Sequence, residues 1–286
     1  MINRKFRTVA GIDPPLLEPR TSLMSSMSSV GSSPLGPISR FLEWFGDLGI
    51  FFWRVVCAAV TPPFEFRELF RQLDEIGSMS LPLVALAGAA TGVVLSLEAR
   101  YSLTRFGAKS LLPAALVFSV IHETGPIITG LVVSGRVGAG IGAELASMKV
   151  TEQIDAIEAS AVSPYRLLAA PRILACILVL PLLTLAADAS GLLMGWVAQA
   201  LVEPLSLHQF VNAGFKGAGF NDFLPPTFKT MAFGLIIGLI ACFQGMRTRG
   251  GAAGVGRAAT SSVVLSSLFV ILADVVLVKL ILIFFP

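Results

Sequence analysis

Five stretches of this 286-residue chain are long and apolar enough to cross a bilayer, and this restricts the fold more than any other feature. A helix needs about 20 residues to cross about 30 Å of hydrocarbon. The stretches lie at about 76–97, 110–135, 173–202, 230–246 and 258–285. Within hydrocarbon every backbone N–H and C=O must find a partner inside the protein, so spans of this kind are helical. The expected fold class is an all-α polytopic membrane protein. Composition agrees: only 14% of residues are charged and 55% are hydrophobic, against about 25% charged in an ordinary soluble domain. The same figures exclude a disordered chain. Cys57, Cys176 and Cys242 are scattered and odd in number, which excludes a disulfide scaffold. A net charge of +3 without a concentrated basic face argues against nucleic acid as a partner.

The N-terminal region has a different character. Residues 1–39 are rich in Ser, Pro and Arg and hold no sustained apolar run. They are expected to form a disordered Ser/Pro-rich cytosolic tail, with an organelle transit peptide as the compositional alternative and no secretory h-region. In residues 40–61, Arg40, Glu43, Asp47 and Arg54 fall on one narrow stripe at helical spacing, and Phe, Trp, Leu, Ile and Val fill the rest. That pattern predicts an interfacial helix; a first span with snorkelling charges is the alternative. Of the 21 Lys and Arg residues, fifteen fall in 1–75, 136–172 and 247–257 and six in the segments between. The positive-inside rule then puts the N-terminus in the cytosol and the C-terminus on the far side.

Glycine pairs at i and i+4 recur along the spans: Gly88/Gly92, Gly138/Gly142, Gly191/Gly195 and Gly234/Gly238. Such spacing lets helix backbones approach in lipid, where no hydrophobic drive brings them together. The Gly-rich runs 135–142 and 250–256 lack phosphate-loop spacing and follow no strand pattern, so no nucleotide motif is present. Ionisable residues inside spans, His122-Glu123, Asp188 and Asp274, are costly and face a bundle interior. Structural pairing, a proton relay in an ion-coupled secondary transporter, and an intramembrane enzyme all stay open at this point, although no hydrolase elbow or metal pair accompanies them.

Between the second and third spans lies a polar stretch with its own pattern. Thr151 is a candidate N-cap, Glu152, Asp155 and Glu158 line one face, Ile154, Ile157 and Ala161 another, and Ser163-Pro164 ends the run. A short amphipathic helix between two spans, too small to fold alone, is suited to docking on another surface.

In this region the sequence resembles a known family. The segments Glu123-Thr124-Gly125-Pro126, Gly135-Arg136-Val137-Gly138-Ala139, Ala143-Glu144-Leu145, the run from Met148 to Glu158, Val162-Ser163-Pro164-Tyr165-Arg166 and Pro171-Arg172 occur in order. Phe243-Gln244-Gly245 and the run from Gly254 to Thr260 follow. Together they resemble the MlaE/YrbE-type permeases, membrane subunits of Mla/Mce ABC lipid transporters, over residues 40–286. The resemblance implies an interfacial N-terminal helix, five transmembrane helices and a cytosolic coupling helix at about 144–160. It implies a homodimer of two permease copies, a cytosolic ABC ATPase dimer that alone binds ATP and Mg, optionally a small STAS-type accessory protein, and a periplasmic Mce-domain protein. No cofactor and no catalytic residue are implied for this chain. Arg136, Glu144, Glu152, Asp155 and Glu158 would be the ATPase-coupling residues. A phospholipid or related lipid would occupy a cavity lined here by Leu95, Leu97, Glu98 and Tyr101. The implied location is a bacterial inner membrane, with the chloroplast inner envelope as the alternative. This chain has His122 where the family usually has Arg, Thr124 where it has Leu, and Glu98 where a polar amide is common.

Overall fold

The structure, a computed structural model, describes residues 36–60, 65–216 and 220–284. Most of the expected tail, 1–35, lies outside the described residues. The chain divides between Gly46 and Asp47 into two compact units. In the first, residues 36–46 begin helix α1 (Gly36–Val60), where the Phe41 and Phe45 rings lie 4.6 Å apart and Trp44 meets Phe45 edge-on at 5.0 Å. The second unit begins at Asp47.

The described residues of that unit are helical almost throughout. Helix α2 (Phe66–Arg105) is the first crossing and runs well past the 76–97 core that sequence alone marks out. The second crossing, Lys109–Val150, is assembled from pieces: α3 (Leu112–Ser119), a π turn at Val120–Thr124, α4 (Gly125–Val133), a second π turn at Ser134–Gly138, and α5 (Ala139–Val150). A short helix α6 (Gln153–Ala159) follows. A third π turn, Tyr165–Ala169, leads into α7 (Ala170–Ala200). After the short helix α8 (Leu207–Gly214), α9 (Phe220–Met246) and α10 (Gly251–Phe284) complete the bundle. Among the described residues five helical segments are long and apolar enough to cross a membrane, and α1 is not one of them. This is a multi-pass, all-α membrane protein.

Glycines set the closest approaches. A Cβ placed on Gly92 would lie 2.0 Å from the Gly191 carbonyl oxygen, and one on Gly88 2.4 Å from that of Ala187. Across the same seam Ser96 Oγ donates to the Gly195 carbonyl at 2.9 Å and Ser190 Oγ to that of Ala85 at 2.9 Å. The pairs Gly88/Gly92 and Gly191/Gly195 are thus two sides of one α2–α7 interface. Gly234 and Gly238 pack on the α7 backbone at Cys176 and Ile173, and Gly142 packs on Ser262 of α10. Small residues here substitute for the hydrophobic drive that lipid does not provide.

The charged stripe of α1 is partly docked on the bundle. Arg247 pairs with Asp47, and Arg54 Nη1 donates to the Tyr165 hydroxyl at 3.2 Å. Between them Phe51 is buried edge-on against Tyr165 and Phe243, with ring centroids 5.6 Å apart in both cases. Two charges that at helical spacing resemble a solvated stripe tie this part of the helix to the ends of the third and fourth crossings.

Replacing Gly92 by Ala is expected to cost about 1–3 kcal/mol, the usual range for overpacking, because backbone and not a flexible side chain stands in the way. Gly49→Ala, which meets open space, should leave stability unchanged or raise it by up to ~1 kcal/mol. Thermal unfolding in detergent micelles separates the two, and equal losses would contradict the seam.

Candidate coupling segment and buried ion network

The polar stretch between the second and third crossings is built as a cassette. Helix α5 ends where Thr151 turns its hydroxyl back onto the Ser147 carbonyl at 2.8 Å. Glu152 then takes a left-handed backbone (φ 59°) and stands at the N-cap of α6. The expected continuous helix over about 144–160 is therefore broken at 151–152. Thr151 does not cap α6, because its hydroxyl is already committed to the preceding turn. At the other end Ala161 is also left-handed (φ 60°), with Val162 N–H donating to the Ile157 carbonyl and Ala161 N–H to that of Glu158. This is the Schellman closure, a place where glycine is the usual residue. Glu152 and Ala161 are the non-glycine residues with positive φ among those described, and they bracket α6. Left-handed backbone at ordinary residues costs of order 1–2 kcal/mol each and persists only where surroundings enforce it.

Within the cassette Ile154 is buried, Lys149 is paired with Asp155, and Glu152, Asp155 and Glu158 are exposed. Arg136 and Glu144, grouped with these carboxylates on sequence, are engaged elsewhere. Arg136 Nη1 donates to Ser80 Oγ at 2.7 Å. Glu144 Oε1 accepts from Arg172 Nη2 at 2.7 Å, and Arg172 is 1% exposed. Both line a pocket of about 410 Å³ with Gln72 and Glu75. Arg136 thus ties the second π turn to α2, and Glu144 ties α5 to α7.

A second ionic cluster lies inside the bundle. Lys229 of α9, 1% exposed, donates to Glu123 Oε2 at 3.0 Å and lies 2.9 Å from Asp274 Oδ1 of α10, an ionic contact outside hydrogen-bonding angles. One ammonium thus serves two carboxylates from two other crossings. The apolar run of the fourth span begins at 230, just past Lys229, but α9 begins at Phe220, nine residues before Lys229, and so carries it inside the helix. Asp188 stays outside this cluster: it is buried against Gly125, where an added Cβ would lie 1.7 Å from Oδ1. His122 stacks on Phe118 with ring centroids 4.1 Å apart. Each of the three π turns carries a motif segment: His122-Glu123, Gly135-Arg136-Val137 and Tyr165-Arg166. Among the described residues no three His, Cys, Asp or Glu side chains gather as a metal site requires.

At the opposite end of α2, Leu97, Glu98 and Tyr101 are exposed. Leu95 is not with them. It packs on the cluster of Leu116, Val120 and Phe210, because its position on the helix turns it toward α3 and α8. Nearby, Glu203 Oε1 accepts from Lys109 at 3.1 Å and from Arg100 at 2.7 Å. The Lys109 hydrogen bond, with the Arg100 charge, holds the Glu203 carboxyl below its ordinary range.

Comparison with known proteins now decides the family. The model of the family described as Permease MlaE matches residues 69–280. The chain belongs to the MlaE permease family. It is 34% identical over 241 residues to a probable ABC transporter permease protein of Rickettsia typhi, covering 84% of this chain and 93% of that one. A probable ABC transporter permease protein of Rickettsia felis is 34% identical over 258 residues, 90% of this chain and 98% of its own. The Arabidopsis thaliana protein named TRIGALACTOSYLDIACYLGLYCEROL 1, chloroplastic, is 31% identical over 224 residues, 78% of this chain and 64% of its own. As an MlaE permease the chain is an ABC transporter subunit, and the α6 cassette and the ion cluster fall within the matched region.

Removing one partner of a buried ion pair costs about 3–5 kcal/mol, because a charge is left uncompensated. Lys229→Met is expected to destabilise the permease by that amount. Adding Asp274→Asn should recover part of the loss, with a coupling of about 0.5–3 kcal/mol between the two sites. Denaturant unfolding of both single variants and the double variant tests this, and strictly additive costs would contradict the shared cluster.

Proposed function

We propose that this permease moves phospholipids or related lipids between an inner membrane and a periplasmic Mce-domain protein, driven by a separate cytosolic ATPase. The observation that carries the coupling is the α6 cassette. A helix of seven residues, bracketed by left-handed backbone at Glu152 and Ala161, carries exposed Asp155 and Glu158, with the exposed Glu152 at its N-cap. Glu152, Asp155 and Glu158 dock on the ATPase. Arg136 and Glu144 carry the movement inward, because Glu144 is ion-paired to Arg172 at the start of α7 and Arg136 is hydrogen-bonded to α2.

Two copies of the chain form the transporter and enclose the lipid. The exposed face of α2 with Leu97, Glu98 and Tyr101 lines the cavity, and Leu95 is withdrawn from it. ATP binding draws the ATPase subunits together, moves the cassettes and tilts the permease halves about the cavity. A ligand drives such a change only if it contacts the two states differently, so the α6 contacts must change on ATP binding. The basic segments 136–172 and 247–257 lie in the cytosol with the N-terminus, and the C-terminus is periplasmic. An ion-coupled secondary transporter remains the alternative. Lys229 between Glu123 and Asp274 favours a structural lock over an open relay, since the ammonium neutralises part of the charge that a relay would use.

Charge reversal at Glu152→Arg with Asp155→Arg should reduce lipid-stimulated ATP hydrolysis by the reconstituted transporter at least about tenfold, which corresponds to a coupling of ~1.4 kcal/mol. Lys149→Ala, which frees Asp155 but keeps every carboxylate, should retain hydrolysis. Wild-type hydrolysis in the reversed variant, with insertion verified, would overturn the docking assignment.

A further inference from the structure

A pocket at the end of the bundle remote from α6 plays no part in the coupling just described. It has a volume of about 240 Å³ and lies where the last turns of α2 and α7 meet the start of the second crossing and α8. Its lining combines the apolar Leu112 and Leu205 with Arg100, Lys109, Glu203 and Gln199.

Two observations there are independent of each other. The first is a charge imbalance. Arg100 and Lys109 converge on a single oxygen, Glu203 Oε1, so two cations face one carboxylate and one positive charge is left over. The second is a missing bond. Gln199 is 4% exposed, and its Nε2 has no hydrogen-bond partner. Buried side-chain donors are seldom left unmade. Surplus positive charge and an idle buried amide donor, lining one cavity, both call for an acceptor-rich anion. A guanidinium offers a planar fork that matches phosphate oxygens, and an ammonium adds a compact charge beside it.

We propose that this pocket binds a phosphate group, either the phosphodiester of a lipid headgroup or free inorganic phosphate. Arg100 and Lys109 supply the charge and Gln199 the buried donor. The Glu203 carboxylate occupies Arg100 and Lys109 when the anion is absent and competes with it for those two cations. Leu112 and Leu205 give a lipid's glycerol and first methylenes an apolar wall. The site is distinct from the outward face of α2 and does not depend on the transport reading.

The test measures binding to the whole purified permease in detergent by calorimetry, with inorganic phosphate, dihexanoyl phosphatidylglycerol and uncharged dihexanoylglycerol as probes. Binding of the phosphatidylglycerol, with phosphate as a weak competitor, identifies a headgroup site; binding of phosphate but not of the lipid identifies a free-anion site. Either supports the proposal if affinity falls roughly tenfold in Gln199→Leu and in Arg100→Gln and rises in Glu203→Gln. The Glu203 variant is the sharper arm, because a carboxylate with only a structural role would weaken binding when removed. Lys109 and Glu203 are both about half exposed, so Lys109→Gln and Glu203→Gln remain informative if Gln199→Leu fails to fold. The proposal is overturned if neither phosphate probe binds or if dihexanoylglycerol binds as tightly. It is also overturned if the variants keep wild-type affinity, as they would for a lipid held only elsewhere on the chain. Loss of ATPase coupling would leave these measurements untouched, since no variant lies in α5 or α6.

Discussion

The backbone-to-backbone contact between α2 and α7 is the constraint on which the rest of this structure depends. Lipid offers no hydrophobic reward for bringing two helices together, so association rests on packing and on hydrogen bonds across the seam. Glycines at 88, 92, 191 and 195 remove the side chains that would hold the helices apart, and Ser96 and Ser190 add hydroxyl donors to carbonyls that α-helices leave partly available. With α2 and α7 joined, α9 lies on α7 through Gly234 and Gly238, and α10 lies on α5 through Gly142 and Ser262. The pocket near Arg100 and the Glu144–Arg172 pair stand at opposite ends of this joined unit.

Charge is buried at two levels of that unit. Arg172 with Glu144 links α5 to the start of α7, and Lys229 with Glu123 and Asp274 links the second, fourth and fifth crossings. Buried pairs are poor sources of net stability, because desolvation offsets most of their attraction. They do set geometry: each pair allows one relative placement of its helices and penalises others. The π turns at 120–124, 134–138 and 165–169 have a related effect, since an extra residue in a helical turn re-aims the side chains beside it. Glu123 and Arg136 both sit on such turns, and each reaches a residue of another crossing, Lys229 and Ser80 respectively.

Much of the fold was legible because it follows from solvent. Apolar runs mark the crossings, and the i, i+4 glycine pairs mark the faces where helices touch. The buried ion partners were less visible. Lys229 and Arg172 each lie at the edge of an apolar run, where a cation usually flanks a span, and hydropathy does not show that the helix starts earlier and carries the residue inside. The available signal was the carboxylates: Glu123 and Asp274 within spans demand an internal cation, and Lys229 was near at hand. The break at 151–152 had no such signal, because neither Thr151 nor Glu152 is a residue associated with left-handed backbone. Leu95 parts from Leu97 for a simple geometric reason. Two positions along a helix rotate a side chain by about 200°, so Leu95 and Leu97 occupy opposite faces.

The role proposed for the chain is that of the membrane half of an ATP-driven lipid transporter. The most direct test is purification from the membrane of its own source cells, with the intact complex weighed by native mass spectrometry and assayed for ATP hydrolysis. The account predicts a complex of two permease copies with an equal number of ATP-hydrolysing subunits, whose hydrolysis rises when phospholipid is supplied. A chain that purifies without any ATPase and still moves lipid on an ion gradient alone would contradict it.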